Sequence, residues 1–270
     1  MLILLSPAKD LAQETPVTKE ATQPVLLDHA VTLVAKLKTL SAKKLADLMD
    51  LSLKLGELNR DRYAQWSVPF TPENARPAAF TFNGEVYRGL EARSLSAEDL
   101  RFAQHHLRIL SGLYGVLRPL DLMQDYRLMM GTPFALGKAK NLYAFWGDRI
   151  TEAMNKDLKA TRSDVVLNCA STEYFRAVNP AILNAQVITP EFKDKVGGAY
   201  KPLQTYVKNQ RGALARYIIQ HRILEPEKIK GYEGDGYRFS AAESTAEKWI
   251  FLRDKRPVLV PKKLAGGRIR

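Results

Sequence analysis

The stretch Leu110–Asp121 contains an arginine on stiff backbone, a residue type that can bind anions. Arg118 stands directly before Pro119, and that position favours an extended conformation. Two glycines precede it and allow a ligand or another chain segment to come close. Arg118 and Tyr114 are therefore candidates for an anion site. The alternative, which this segment alone favours, is that Arg118 pairs with Asp121 and ties down a loop.

Polar side chains follow two stretches that the pattern predicts to be buried strands, Leu2–Leu5 and Val165–Leu167. Sites in α/β folds lie at the carboxyl ends of strands. The first strand leads to Lys9, and a lysine buried with a lowered pKa can attack a sugar or base carbon. With Tyr114, Arg118 and Arg211, the polar residues after these strands form a candidate catalytic pocket: Lys9, Asn168, Ser171 and Glu173.

A helix is predicted from Lys208 to about Arg222, after a strand at Leu203–Tyr206. Its first turns carry Lys208, Arg211 and Arg216, where the helix dipole disfavours cations. This placement indicates an anion near the start of the helix.

Cys169 is the single cysteine of the chain. An internal disulfide and a zinc–cysteine cluster are excluded, and one free thiol fits a reducing cytoplasm. Cys169 is a candidate nucleophile, but no histidine lies near it in the sequence, and a half-buried thiol is more often inert. No cluster of His, Cys and carboxylates has ligand spacing. We expect no metal site and no cofactor.

Residues 41–66 read as short helices joined by a tight turn. Ser41 is predicted to cap a helix ending at Met49, Asp50 to cap Leu51–Leu55, and Asn59 to cap a helix ending at Trp66. A glycine turn between helices exposes amides that can bind a DNA phosphate without reading sequence. The alternative is that the hairpin only packs. The residues of this candidate DNA interface are Lys54, Gly56, Leu58, Asn59, Arg60 and Arg62.

The chain has 270 residues and a net charge of 41 − 29 = +12. Residues 248–270 contain eight Lys or Arg and one acid, a net +7, which leaves +5 for residues 1–247. Such a charge favours a polyanionic partner, although a basic tail can also be only a solvated end. No run of eighteen apolar residues exists, so we expect no transmembrane helix and no membrane partner.

Strands and helices alternate along the chain without a repeat or linker. We therefore predict one α/β (mixed α+β) domain over residues 1–253, with a central, mostly buried sheet and surrounding helices. The helix-hairpin-helix at about 41–66 is an excursion from this domain. A short strand is expected at Ala78–Phe82, and residues 254–270 form a basic tail.

Seven segments, in order from Met1 to about Leu252, together resemble the bacterial YaaA peroxide-stress family. They are Ser6–Lys9, Asn83–Leu90, Leu110–Asp121, Tyr126-Arg127, Leu142–Gly147, Asn168–Phe175 and Arg211–Arg216. The middle segment is long enough to be specific.

The resemblance implies a cytoplasmic protein, induced by hydrogen peroxide, that protects DNA by lowering free iron. It also implies an unusual α/β fold whose basic cleft and helix-hairpin-helix bind double-stranded DNA, with Gly56, Leu58 and Asn59 in the hairpin. It implies no established reaction and no iron ligands. At Cys169 the family has an apolar residue, which argues against a thiol mechanism.

Two functions follow as alternatives. The first is a DNA-binding protection protein whose amides, lysines and arginines contact phosphates largely independently of sequence. The second is an enzyme on a nucleotide or nucleic acid, such as a lyase or glycosylase. The geometry of four pocket residues distinguishes the two: Lys9, Arg118, Asn168 and Glu173. If they converge on one cleft, the enzyme is favoured. If they are scattered as separate ion pairs, the enzyme is contradicted.

Overall fold

The computed structural model describes residues 1–16, 18 and 20–255 and shows a mixed α/β domain around one central sheet. Of the predicted basic tail, residues 256–270 lie outside the described residues. The sheet has eight strands in the order β11-β12-β9-β8-β1-β5-β6, with β10 paired to β9. Its strands are β1 (Leu2–Leu5), β5 (Leu107–Ser111), β6 (Gly115–Leu117), β8 (Val165–Cys169), β9 (Gln186–Val196), β10 (Ala199–Lys201), β11 (Arg238–Phe239) and β12 (Lys248–Arg253). Two small antiparallel pairs complete the strands: β2 (Asp10–Leu11) with β4 (Phe82–Asn83), and β3 (Arg76–Pro77) with β7 (Leu122–Met123).

The centre of the sheet is parallel and buried. β1 pairs in parallel with β5 on one side and β8 on the other, and every residue of the three strands is buried. Strands that are buried along their whole length and mostly apolar are typical of parallel sheets covered on both faces. The predicted strands at the N-terminus and near Val165 are therefore confirmed.

The chain leaves β1 and β8 in opposite directions. β1 leads eventually to β5 on one side, whereas β8 leads to β9 on the other. Their carboxyl ends are neighbours, since Leu5 stands opposite Cys169. Adjacent strands with diverging connections open a crevice at their carboxyl ends, where ligands bind in open α/β sheets.

The helices surround this sheet. They are α1 (Leu27–Leu37), α2 (Ala42–Met49), α3 (Leu53–Gln65), α4 (Ala78–Thr81), α5 (Glu85–Leu90), α6 (Ala97–His106), α7 (Leu142–Trp146), α8 (Arg149–Ala160), α9 (Thr172–Phe175) and α10 (Gln204–Gln220), with 3₁₀ turns at Ala92–Ser94, Pro226–Gly231, Gly234–Gly236 and Ala241–Glu243. No helix in the described part of the chain is long and apolar enough to cross a bilayer.

Two predicted strands are wrong. Ala78–Phe82 contains the short helix α4 instead of a strand, and α10 begins at Gln204, inside the stretch predicted as Leu203–Tyr206. The earlier start of α10 moves Lys208 and Arg211 beyond its first turn. The dipole effect fades within that turn, so the dipole gives no argument for an anion at these two cations.

The turn predicted at Gly56–Asn59 is also wrong. Gly56 lies inside the continuous helix α3, and its amide already donates to the carbonyl of Ser52 at 2.9 Å. The cap of α3 is Ser52 rather than Asp50 or Asn59, whereas the predicted cap Ser41 of α2 is confirmed. The connection between α2 and α3 is therefore Asp50–Ser52, with Asp50 in the left-handed region at φ 52°.

Gly56 has a packing role at the crossing of α2 and α3. A methyl group there would overlap the Ala42 carbonyl oxygen and come within 2.9 Å of the Ala46 Cβ. The close approach of α2 therefore requires a glycine at this position, and Gly56 does not interrupt α3.

The helices α5 and α10 also cross at glycines, one on each helix. A Cβ on Gly89 would overlap the carbonyl oxygen of Asn209, and one on Gly212 would overlap that of Val86. Each helix backbone therefore rests on the other. This contact positions the two helices that form one wall of the crevice.

We predict that Gly212→Ala destabilises the protein. The added methyl meets backbone that cannot rotate away, so overpacking exceeds the gain in helix propensity, for a net loss of about 2 kcal/mol. Urea unfolding measures the change. The matched control is Gly231→Ala, where an added Cβ meets nothing within 4 Å. Equal midpoints for the two variants would contradict the close crossing.

Candidate functional site

A cleft of about 500 Å³ opens at the carboxyl ends of β1 and β8. Five chain segments line it: the loop after β1, the start of α5, residues 126–129, the loop after β8, and α10. The polar side chains of its lining are Ser6, Lys9, Asp10, Asn83, Glu85, Arg88, Tyr126, Arg127, Ser171, Glu173, Tyr174, Lys208 and Arg211. The cleft occupies the crevice that the strand order creates.

Hydrogen bonds tie the two strand-end loops together at the base of this cleft. The backbone N–H of Ser171 donates to Ser6 Oγ at 2.8 Å, and Ser6 Oγ donates to Ser171 Oγ at 3.3 Å. The Tyr87 hydroxyl donates to the Ser6 carbonyl at 3.0 Å, so α5 joins the same network. Loops bound in this way hold their side chains in fixed positions.

Glu173 is fixed on the wall of the cleft. Its Oε1 accepts a hydrogen bond from the backbone N–H of Gly131 at 2.9 Å, and its carbonyl accepts one from the Tyr143 hydroxyl at 2.9 Å. A Cβ on Gly131 would lie 3.1 Å from Glu173 Oε1. The close approach of this loop therefore fixes the carboxylate.

The cleft is lined by five Lys or Arg side chains and three carboxylates. Arg88 and Glu85 form an ion pair across one turn of α5. The Nε atoms of Arg127 and Arg211 are buried and have no hydrogen-bond partner among the described residues. Burial lowers the pKa of Arg211, with Cys169 and Glu191 acting weakly in the other direction. These two arginines can therefore accept an additional anionic partner.

The structure brings four of the seven predicted pocket residues together: Lys9, Ser171, Glu173 and Arg211. Lys9 is exposed at the cleft, so it lacks the burial that would activate it as a nucleophile. Of the four residues whose convergence would favour an enzyme, two therefore lie in one cleft, Lys9 and Glu173.

The other three predicted pocket residues lie elsewhere. The Tyr114 hydroxyl is buried in the core, where it accepts from Trp66 Nε1 at 3.0 Å. Asn168 is buried within β8, and its Oδ1 accepts from the Ala170 N–H at 3.1 Å. Arg118 pairs with Asp121 at 3.0 Å and donates to the Gln23 carbonyl at 3.0 Å. The loop-tying alternative for Arg118 is confirmed.

The residues of the predicted DNA interface do not form one surface. Gly56 and Asn59 are buried, and the amide of Asn59 donates to the Leu55 carbonyl at 2.8 Å. Arg60 pairs with Asp61 at 2.7 Å, and Arg62 lies 3.6 Å from Asp125. Lys54 and Leu58 are exposed.

Sequence reasoning missed Arg127, Arg88, Asp10 and Glu85 as cleft residues. Arg127 and Arg88 stand in segments that carry the family resemblance, which was a usable signal. Glu85 lies in the same segment as Arg88, and Asp10 directly follows the segment Ser6–Lys9, but no local pattern marks either residue as part of a site. In residues 1–16, 18 and 20–255, no group of three or more His, Cys, Asp or Glu side chains is arranged to hold a metal ion.

We predict that Arg118→Met destabilises the fold. Asp121 is fully buried and would lose its cation, at a cost of about 2–3 kcal/mol, below the value for fully buried pairs because the Arg118 side chain is 28% exposed. Burial already raises the pKa of Asp121, and Arg118 offsets part of that rise. Without Arg118 the folded-state pKa rises further, so the loss is largest at high pH and shrinks as falling pH protonates Asp121.

Urea unfolding of Arg118→Met at two pH values measures this dependence. The control is Arg60→Gln, which removes an exposed ion pair and is expected to leave the midpoint unchanged. A loss that does not depend on pH would show that the ion pair is not its source.

We also predict that Cys169 is unreactive in the native protein. Burial raises the pKa of its thiol to about 12, although Arg211 acts in the opposite direction. Reaction requires the thiolate, which is therefore scarce at neutral pH. A thiol reagent should label the protein only after unfolding in urea. Rapid labelling of the native protein would restore Cys169 as a nucleophile.

Comparison of the sequence with known proteins identifies its family. The sequence profile described as Peroxide stress protein YaaA matches residues 1–243. A UPF0246 protein of Burkholderia multivorans is 52% identical over 256 residues, which cover 94% of this chain and 98% of the relative. UPF0246 proteins of Teredinibacter turnerae and Ralstonia pickettii are each 51% identical over 254 residues, covering 94% of this chain and 99% of the relative. The chain therefore belongs to the family of the peroxide stress protein YaaA.

Proposed function

We propose that this protein binds double-stranded DNA, largely independently of sequence, as part of the peroxide stress response. The observation that carries the proposal is the set of exposed cations, Lys9, Arg88 and Lys208, that surrounds the cleft at the carboxyl ends of β1 and β8. Phosphate is an anion that guanidinium groups bind well. Family membership supports the link to peroxide stress.

The exposed cations at the cleft contact the DNA backbone in this proposal. Lys9, Arg88 and Lys208 are exposed and come from three different segments. Cations on several segments can follow a phosphate backbone without reading bases, which gives weak sequence preference and strong salt dependence.

The helix pair α2–α3 supplies a second contact. The Tyr63 hydroxyl of α3 donates to the carbonyl of Arg127 at 2.7 Å, so α3 is attached to the segment that lines the cleft. Lys54 is exposed in the first turn of α3, next to the Asp50–Ser52 connection. We therefore transfer the proposed phosphate contact from Gly56–Asn59 to this end of α3.

Protection of DNA and lowering of free iron belong to the proposal as its cellular outcome. Among the described residues, no group of three or more His, Cys, Asp or Glu side chains is arranged to hold an iron ion. We propose that any effect on free iron is indirect, whereas DNA contact is direct.

An enzyme acting on a nucleotide or nucleic acid is the second candidate. The supporting observation is that Lys9, Ser171, Glu173 and Arg211 share the cleft. A fixed carboxylate beside an amine and a guanidinium is a set that acid–base chemistry can use. Release of a base or a strand break from DNA incubated with the protein would identify such a reaction.

The test of DNA binding is a salt titration of a fully paired duplex with the full-length protein. Each phosphate contact steepens the dependence of binding on salt. We expect Lys208→Gln, and separately Lys54→Gln, to lower the slope of log K against log salt by about 1. Lys159→Gln is the matched control, since this exposed lysine lies in the last turn of α8, which leads to the amino end of β8, away from the cleft.

A truncation after Lys255 tests the basic tail. The cut must keep Arg253, which is buried and pairs with Asp194 at 2.7 Å. Loss of binding in the truncation alone would assign the contact to the tail. If the wild-type protein fails to bind the duplex at low salt, the proposal is wrong.

A further inference from the structure

We propose that the cleft binds a single nucleotide unit, a phosphorylated nucleoside that is either unpaired in a DNA strand or free in solution. The inference rests on the proposed function for DNA as one source of that unit. It concerns what enters the cleft, whereas duplex contact concerns the surface around it.

The size of the cleft excludes an intact duplex. Its volume of about 500 Å³ lies in the lower part of the roughly 300–1,000 Å³ range of small-molecule sites. The cleft volume equals that of a cube about 8 Å on a side, which is narrower than the major groove alone of a B-form duplex, about 12 Å. One nucleotide fits such a cleft, whereas paired strands can only cover its opening.

The cations provide for the phosphate of that unit. Arg211 and Lys208 come from α10, and Arg127 lies in a separate segment of the lining. The unpartnered Nε atoms of Arg127 and Arg211 are buried. A buried donor without a partner is costly, and an anion in the cleft can remove that cost.

The carboxylates of the cleft do not suit a phosphate alone. Asp10, Glu85 and Glu173 all line it, and they do not form a metal-binding group within the described residues. Carboxylates repel phosphate but accept hydrogen bonds from sugar hydroxyls and from the exocyclic amines of bases. Glu173 is already fixed by the Gly131 N–H at 2.9 Å, so it is ordered before a ligand arrives.

The remaining lining supplies apolar and aromatic surface for a base. Tyr126, Tyr174, Leu128 and Met129 all line the cleft, and both tyrosines are buried. Bases bind to aromatic and apolar surfaces by stacking. Phosphate donors, carboxylate acceptors and an apolar surface in one small volume match the three parts of a nucleotide.

A second recess continues the cleft past one wall. Asn83 and Arg88 line both the cleft and a neighbouring recess of about 420 Å³ that includes Phe80 and Tyr87. A strand whose unpaired nucleotide occupies the cleft therefore has a route across Arg88 for the next unit. This continuity favours a DNA strand as the source over a free mononucleotide.

Calorimetry with the full-length protein tests the class of ligand, using adenosine 5′-monophosphate and inorganic phosphate as probes. We expect the nucleotide to bind at least about tenfold more tightly than phosphate. Glu173→Gln should weaken nucleotide binding at least about fivefold, because a charge-assisted hydrogen bond is lost, and should strengthen phosphate binding. Asp10→Asn, at an exposed position that does not endanger folding, should act in the same direction.

Calorimetry with these two probes can also contradict the inference. Equal affinities for nucleotide and phosphate would reduce the cleft to a simple anion site and overturn the inference. The same conclusion follows if both carboxylate variants bind the nucleotide as the wild-type protein does. Lys159→Gln is the control, and all variants are first compared by their urea midpoints.

A fluorescent base identifies the source of the nucleotide. A duplex carries 2-aminopurine either at an unpaired position or at a paired one, and its fluorescence is followed as protein is added. We expect a change only for the unpaired base, reversed by excess adenosine 5′-monophosphate. If the paired duplex binds with a steep salt slope but neither unpaired base nor nucleotide enters the cleft, the inference fails and the proposed function stands. If the nucleotide binds and no duplex does, the proposed function fails and free nucleotide is the ligand.

Discussion

The parallel pairing of β1 with β8 is the constraint on which the candidate site depends. The four residues of β1 are fully buried, and each such side chain contributes about 1.5–3 kcal/mol through burial. In the observed register Leu5 stands opposite Cys169, which places Ser6 and Ser171 within hydrogen-bond distance. The base of the cleft is therefore a direct consequence of core packing.

The other walls depend on contacts that are remote in the sequence. The glycine crossing of α5 and α10 places Arg88 and Arg211 on one side of the cleft. Beneath α10, the buried pair of Arg253 and Asp194 ties the last strand to β9, and the Tyr237 hydroxyl donates to the same carboxylate at 2.8 Å. Interior ion pairs rarely add stability, but breaking one is costly. This pair therefore makes the end of β12 part of the folded domain.

Local signals explain which parts of the fold could be predicted. The buried strands β1 and β8 read as short apolar runs, and Ser41 caps the helix that begins beside it in sequence. The i,i+3 pairing of Arg118 with Asp121 is equally local, and it was foreseen as an alternative. Each of these features is determined by residues within one turn or one strand.

Tertiary contacts explain the failures. Glycine is common in turns, but Gly56 serves close packing against Ala42 on another helix, and no local pattern reveals that contact. Ala78–Phe82 has an apolar run suited to a strand, yet its backbone forms α4 between two short strand pairs. At the site, Lys9, Ser171 and Glu173 followed from the strand-end rule. Asp10 at the start of β2 and Glu85 at the start of α5 reach the same cleft through tertiary packing, and that packing has no signature in the sequence.

The balance of charge in the cleft separates this site from the basic surface of a simple DNA-coating protein. A surface that only holds phosphates gains from every added cation and loses from every carboxylate. Here three carboxylates remain beside five cations, and Glu173 is held in place by a backbone hydrogen bond. Carboxylates in a small cleft weaken the attraction of a phosphate, but they stabilise a ligand that has hydrogen-bond donors next to its phosphate. Under the proposed function, the cleft selects its ligand by the arrangement of polar groups, whereas the exposed cations around it attract the DNA polyanion.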